Sequence, residues 1–329
     1  MMMMEEVGKG TVCVTGGTGF LASWLIMRLL QHGYSVNITI RPDSSSGCKR
    51  DVSYLTNLPG ASDRLEIFNA ELDNPESYDA AIRGCIGVFH VAHPSDFHDK
   101  ESEETKTKRA VNGTLGILRS CLNSKTVRRV VYTSSAWTVI FNENSTDYMD
   151  ENTWSNVAFI RKSKFFGASD MITKTLTEKS VLEFAEKHGL DLVSVIPSWI
   201  TGPFITPSCP GSVHASMALV FGDEEQYKHL SNTSLVHIDD VASAHIFLFE
   251  HPDAKGRYIC SAVDVTVDKL SQVLSARYPE YHIPILDYAG TREPQISSKK
   301  LLDTGFKFKY GLEDIYDGAV ECCKKKGIL

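Results

Sequence analysis

The chain lacks the features that would send it to a membrane, to nucleic acid or to an oxidising compartment. No run of about 18 apolar residues occurs in its 329 positions, and Met1 to Glu6 lead into a glycine turn rather than a long apolar stretch. These absences predict a cytoplasmic protein without a membrane partner. Lysine and arginine form no block except Lys324 to Lys326, and the formal net charge is -7, which argues against a nucleic-acid or anionic-lipid surface. The eight cysteines, at 13, 48, 85, 121, 209, 260, 322 and 323, form no CxxC and have no paired histidines beside them. Their spacing therefore offers neither a metal site nor a redox dithiol, and most read as small apolar fillers. Without a secretory signal, the N-x-S/T triplets at Asn37, Asn112, Asn144 and Asn232 are chance matches. A small-molecule substrate is the expected partner, and a monomer or weak homodimer the expected assembly.

What is present is enough apolar sequence for a substantial core: 42% hydrophobic against 23% charged, at a length between one large domain and two ordinary ones. Short β-branched runs at 11–15, 35–40, 65–69, 87–92, 129–133 and 192–196 read as strands. Helical patterns lie between them: Leu21, Leu25, Leu29 and Leu30 share one face, and 105–122 and 174–188 repeat the spacing. Such alternation predicts an α/β fold with a doubly wound parallel sheet. Beyond Pro197 the rhythm weakens. Pro203, Pro207 and Pro210 mark a loop, 257–261 reads as an isolated strand, and helical patterns at 236–250, 266–277 and 312–326 would form a smaller C-terminal α/β lobe. There is no internal repeat and no low-complexity segment.

The first strand runs into Gly16-Gly17-Thr18-Gly19-Phe20-Leu21-Ala22, a G-x-G-x-x-A motif that opens a helix. Glycine at 17 and 19 lets backbone approach a pyrophosphate, Ala22 permits close helix-strand packing, and the helix N-terminus supplies donors for phosphate. A dinucleotide site follows. At the end of the second strand, where an acidic residue would bond a ribose 2′-hydroxyl, the chain has Arg41, with Lys49 and Arg50 nearby. Basic residues there suit a 2′-phosphate, and hence NADPH/NADP+, although Asp43 lies close by.

Val14 to Leu25, followed by Tyr34 to Arg41, resembles the vestitone reductase and dihydroflavonol reductase group of plant enzymes, within the extended short-chain dehydrogenase/reductases. Further matching pieces are Lys49-Arg-Asp-Val, Thr56-Asn-Leu-Pro-Gly-Ala, Thr133-Ser-Ser-Ala, Val236-His-Ile-Asp-Asp-Val, Phe308-Lys-Tyr and Cys322-Cys-Lys. The resemblance implies a Rossmann domain over 8–200 and a mainly substrate-binding lobe over 201–329, with 236–262 returning to the Rossmann domain. It also implies that Glu71, Leu72, Val91, Ala92, Lys174, Pro197 and Ile200 join the glycine loop, Arg41 and Lys49 around the nucleotide. Trp137, Phe165, Phe166, Trp199 and Phe204 are candidates for an apolar substrate pocket or, equally, for the core. His237, Asp239 and Asp240 read as structural.

In that group a serine, a tyrosine and a lysine four residues after the tyrosine hold a carbonyl that accepts hydride. Ser135 and Lys174 match, with Ser134 as the bland neighbour, but the tyrosine position holds Asp170. His93 stands where the group carries serine or threonine. A ketone taking hydride becomes an alkoxide and needs a proton, whereas a free aspartate, titrating near pH ~3.9, has none to give at neutral pH. An iminium arrives charged and leaves neutral, so it needs no donor. The resemblance thus implies an NADPH-dependent oxidoreductase of plant specialised metabolism acting on an iminium, as in alkaloid metabolism, or a similarly activated electrophile. Asp170 would then serve in binding. Two other readings stay open: a non-redox cyclase or isomerase with Asp170 or His93 as base, and a non-catalytic nucleotide-binding protein. The alternatives are His93 as a hydrogen-bonded neighbour of the cofactor and Lys174 as a solvated helix lysine.

Overall fold

A computed structural model describes residues 8–42, 50–93, 101–143, 148–163, 167–227, 233–286 and 295–329. Four strands lie at the boundaries that β-branched patterning predicts, β1 (Thr11–Thr15), β2 (Ser35–Ile40), β3 (Leu65–Asn69) and β5 (Arg129–Thr133), and a fifth, β4 (Gly87–His90), starts where expected. β4 ends two residues earlier than its apolar run. Helix α1 (Phe20–Gln31) follows β1 and buries Leu21, Ala22, Leu25, Ile26, Leu29 and Leu30 on one stripe. At about 1.5–3 kcal/mol for each large aliphatic side chain, that stripe is what seats the helix on the sheet. Helix α2 (Glu103–Ser124) has Ser102 as its cap, the Ser102 hydroxyl accepting from the Thr105 N–H at 3.2 Å. Helix α3 (Ala168–His188) leads into β6 (Leu192–Pro197).

The strands form a seven-stranded parallel sheet in the order β3-β2-β1-β4-β5-β6-β9, with β9 spanning Gly256–Cys260. The stretch around 257–261 is therefore not an isolated strand but the last member of the sheet, because its buried residues need a paired backbone that a free strand would not have. The order reverses between β1 and β4, which pair in parallel with Thr15 opposite His90. Open α/β sheets bind ligands at such a reversal, outside the carboxyl ends of the strands.

The chain divides into two compact units. The first comprises 1–133, 169–194 and 245–256; the second comprises 134–168, 195–244 and 257–329. In the first, Cys13, Ile82, Val88, Ile117, Val130, Val181 and their neighbours form one apolar core. The second has its own small sheet, β10-β8-β7, from Val263–Val265, Thr233–His237 and Trp199–Thr201. The helical pattern at 236–250 starts two residues late, because Val236 and His237 finish β8 before helix α4 (Ile238–Glu250) begins. Helices α5 (Val267–Arg277) and α6 (Leu312–Lys325) belong to this unit, and Ala136, Val139, Met149, Ile196, Ile259 and Ile296 form a separate core cluster there. No helix among the described residues is long and apolar enough to cross a membrane.

Candidate active site

The glycine loop is fixed from two sides. The Gly17 N–H donates to the Thr39 carbonyl at 2.8 Å and the Gly16 N–H to the Thr39 hydroxyl at 3.2 Å, tying the loop to β2 two residues before Arg41. Gly16 has φ +71°, and a Cβ there would lie 3.1 Å from the Ala92 Cα. A Cβ on Gly17 would lie 3.0 Å from the Ile38 Cβ. The absent side chains are what let β1 turn into α1 against its neighbours. Gly19 caps α1 without a side-chain bond, leaving the first-turn N–H groups, those of Phe20 and Leu21 among them, without a capping side chain and so as candidate anion donors, with Thr18 just before the cap. The cradle fits a dinucleotide pyrophosphate. Tyr54, which patterning did not single out, donates its hydroxyl to the Thr18 carbonyl at 3.4 Å.

Arg41 is exposed just beyond β2, and both Arg41 and Glu71 act electrostatically on the Tyr78 hydroxyl, which groups them near the ends of β2 and β3. Burial dominates at Tyr78 and raises its pKa. Leu72 packs on the core of the first unit. Arg50 is exposed; Asp43 and Lys49 lie outside the described residues.

At the reversal of strand order a second fixed element appears. The Thr15 hydroxyl accepts from the N–H groups of Val91 and Ala92, each at 3.1 Å, and lies 2.8 Å from His90 Nδ1. With both lone pairs occupied, the hydroxyl must donate to Nδ1, so the imidazole carries its proton on Nε2 and gives it to the Thr114 hydroxyl at 3.2 Å. Burial, aided by the positive charge of Lys174, pushes the His90 pKa down to about 3 and keeps the ring neutral. Thr15 and His90 thus set the backbone of Val91, Ala92 and His93, although neither stands out in the sequence.

The side chains expected to carry chemistry gather beside that loop. Asp170 and Lys174 are one turn apart on α3, and Asp170 is buried. Lys106, on the first turns of α2, reaches across with its ammonium 2.7 Å from Asp170 Oδ1, and the two side chains are only 2% and 5% exposed. Thr107 and Thr173 join the same helices through a 2.9 Å hydroxyl contact. Lys174 Nζ donates to the Thr133 carbonyl at 3.5 Å. Burial lowers its pKa to about 8, against the opposing pull of Glu178 and Asp170. Glu178 in turn accepts from the Ser194 hydroxyl at 2.6 Å. His93 is held well below the ordinary histidine value, first by burial and then by Lys174, Lys106 and His90, and its Nε2 is buried without a hydrogen-bond partner among the described residues. Lys106 is the residue that sequence reading missed. A lysine in a helical pattern reads as solvated, and its partner lies far along the chain.

The second unit holds the other candidates. Ser135 is the extended residue before a short 3-10 turn, and its hydroxyl accepts from the Trp137 N–H at 3.2 Å. Ser134 is buried beside it. Pro197 ends β6 and Ile200 lies half-buried in β7. Trp199 is 36% exposed, with its indole N–H on the Ser212 carbonyl at 2.9 Å. Phe204 is buried, and its N–H and carbonyl bracket the Cys322 thiol. Phe165 and Phe166 lie outside the described residues. His237 stacks on Tyr310, and Asp240 accepts from the Lys309 and Tyr310 N–H groups, so this motif ties strand to tail within the unit.

A parallel sheet with a glycine cradle and a fixed loop at its strand reversal defines a dinucleotide-dependent α/β protein. The chain belongs to the NAD dependent epimerase/dehydratase family, whose pattern matches residues 12–260, and so to the extended short-chain dehydrogenase/reductases. It is 52% identical over 326 residues to vestitone reductase of Medicago sativa, covering 98% of this chain and 99% of that one. It is 48% identical over 335 residues to noscapine synthase SDR1 of Papaver somniferum, at 99% and 95% coverage. The crystal structure of vestitone reductase from alfalfa superposes with a TM-score of 0.88 at 50% identity, covering 98% of this chain and 100% of that one.

Proposed function

We propose that this chain is an NADPH-dependent reductase of plant specialised metabolism that reduces an iminium, or a similarly activated electrophile, in preference to an ordinary ketone. The observation that carries this reading is the carboxylate at 170, one turn before Lys174 and paired with the buried ammonium of Lys106. The reductase names of its relatives support the class, and the glycine cradle with Arg41 supports the cofactor. The substrate would be a small molecule bound by a cytoplasmic monomer or weak homodimer, with no nucleic acid or membrane involved.

NADPH, when bound, supplies the hydride. The loop at 16–19 would receive its pyrophosphate and Arg41 its 2′-phosphate, while Lys174, Val91 and Ala92 would hold the nicotinamide end. Ser135 orients the acceptor. Asp170, engaged by Lys106, has no proton for an alkoxide, and losing a positioned general acid typically forfeits about 10²–10⁴-fold in rate. Because Lys106 already offsets the charge of Asp170, attraction for a cation is weaker than a lone aspartate would give. Discrimination against ketones therefore rests on the missing donor more than on electrostatic capture.

The test compares an iminium and a ketone of one skeleton, using NADPH carrying deuterium at C4. Labelled amine should form at least about 100-fold faster than labelled alcohol, and Asp170→Tyr should narrow that gap. Product without label and without NADPH oxidation would overturn the proposal in favour of a cyclase or isomerase. The unpartnered Nε2 of His93 offers that second reading a candidate base, although burial, followed by the charges of Lys174 and Lys106, holds its pKa down and makes it a weak one.

A further inference from the structure

We infer that Lys106 is a positioning residue that keeps Asp170 from acting as a general acid, so that the buried Lys106–Asp170 pair is the lock that excludes ketones. The inference rests on residue 170 being the protonation position of the site, as in the proposed function. It starts from geometry. Two opposite charges lie 2.7 Å apart, 2% and 5% exposed, on two helices joined by the Thr107–Thr173 contact, one residue further along α2 and three further along α3. A carboxyl buried in that position without a partner is destabilised in its charged form and takes up a proton. Burial alone would thus make residue 170 a neutral acid at working pH, and such acids do donate to developing oxyanions. The ammonium prevents it.

The other charged or titratable groups around the pair do not replace Lys106. Lys174, one turn along α3, is drawn toward Glu178 as well as Asp170, and burial has already weakened its hold on a proton. Glu178 is engaged by Ser194, and His93 and His90 are neutral. With Lys106 gone, the protonated carboxyl of Asp170 would give its proton to the alkoxide formed when hydride reaches a ketone. Ketone, hydride and that proton make the alcohol. The carboxylate then recovers a proton from water before the next turnover.

The experiment uses Lys106→Met, Lys106→Arg and the double variant Lys106→Met with Asp170→Asn, each first checked for NADPH binding. Lys106→Met should gain about tenfold or more in ketone kcat/KM near pH 6 and lose that gain as the pH rises and Asp170 deprotonates. Lys106→Arg should behave as the unaltered protein, and the double variant should show no gain at any pH. A Lys106→Met profile matching either the unaltered protein or the double variant overturns the inference. If Lys106→Met does not fold, carbon-13 NMR of aspartate-labelled unaltered protein, assigned with Asp170→Asn, decides the matter. The Asp170 carboxyl signal should be that of a carboxylate in the unaltered protein under assay conditions, and a protonated carboxyl there would overturn the lock. An ionised Asp170 in a protein that turns over no iminium would count against the proposed function and leave the lock standing.

Discussion

The glycine loop after β1 and the first turns of α3 sit in the same unit of the chain, yet they are built on opposite principles. The loop works by leaving atoms out: Gly16 and Gly17 are small because Ala92 and Ile38 stand where a Cβ would go. The α3 turns work by putting charge in, burying a carboxylate that is tolerable only because a second helix brings Lys106 to meet it. A steric requirement can be met by one residue alone. An electrostatic one needs a partner, and the comparison teaches that departures from a family pattern should be sought as pairs.

The sharpest break would come at the loop. Gly17→Val should reduce NADPH affinity by at least about 100-fold, since the branched side chain collides with Ile38 and deforms the segment that approaches the pyrophosphate. Fluorescence titration checks it, and circular dichroism distinguishes lost binding from lost fold. A milder effect is expected at the end of β2. Arg41→Ala should weaken NADPH by about 10-fold or more while leaving NADH nearly unchanged, because the proposed guanidinium contact to the 2′-phosphate would be lost only for the phosphorylated nucleotide. Equal losses for both nucleotides would mean that Arg41 does not read the 2′-phosphate.

The smallest effect sharpens the charged side of the comparison. Lys174 has its pKa lowered to about 8, so it is an ammonium below that value and loses its charge above it. If the ammonium positions the nicotinamide end, kcat/KM should fall by a few fold between about pH 7.5 and 9, and Lys174→Arg should flatten that limb because a guanidinium stays protonated throughout. A limb that persists in the arginine variant would belong to another group.

The same contrast governs how far sequence carries. The paired bounds of β1, β2, β3 and β5 were legible because their β-branched runs are bounded by turn residues, and the glycine spacing announced its own function. β7 and β10 were not legible, since three-residue strands carry too little periodicity to register. Nor was the partnership of residues 106 and 170, which comes from the tertiary placement of two helices and from no local pattern. Thr15 and His90 were hidden for the same reason: their role is set by register, the β1–β4 pairing that puts them opposite each other. Asp170 was legible as a departure, but its charge balance was not.

The division of the chain carries a consequence for how such proteins can be recombined. The two compact units alternate along the sequence, with the chain passing from one to the other at 133/134, 168/169, 194/195, 244/245 and 256/257. Neither unit is a contiguous cassette. A single internal crossover with a relative, even one placed at a loop, would leave at least one unit a hybrid, whereas grafting the second unit whole would demand matched junctions at all five passages. New specificities in this architecture are therefore reached more readily through paired point substitutions within a unit than through exchange of segments.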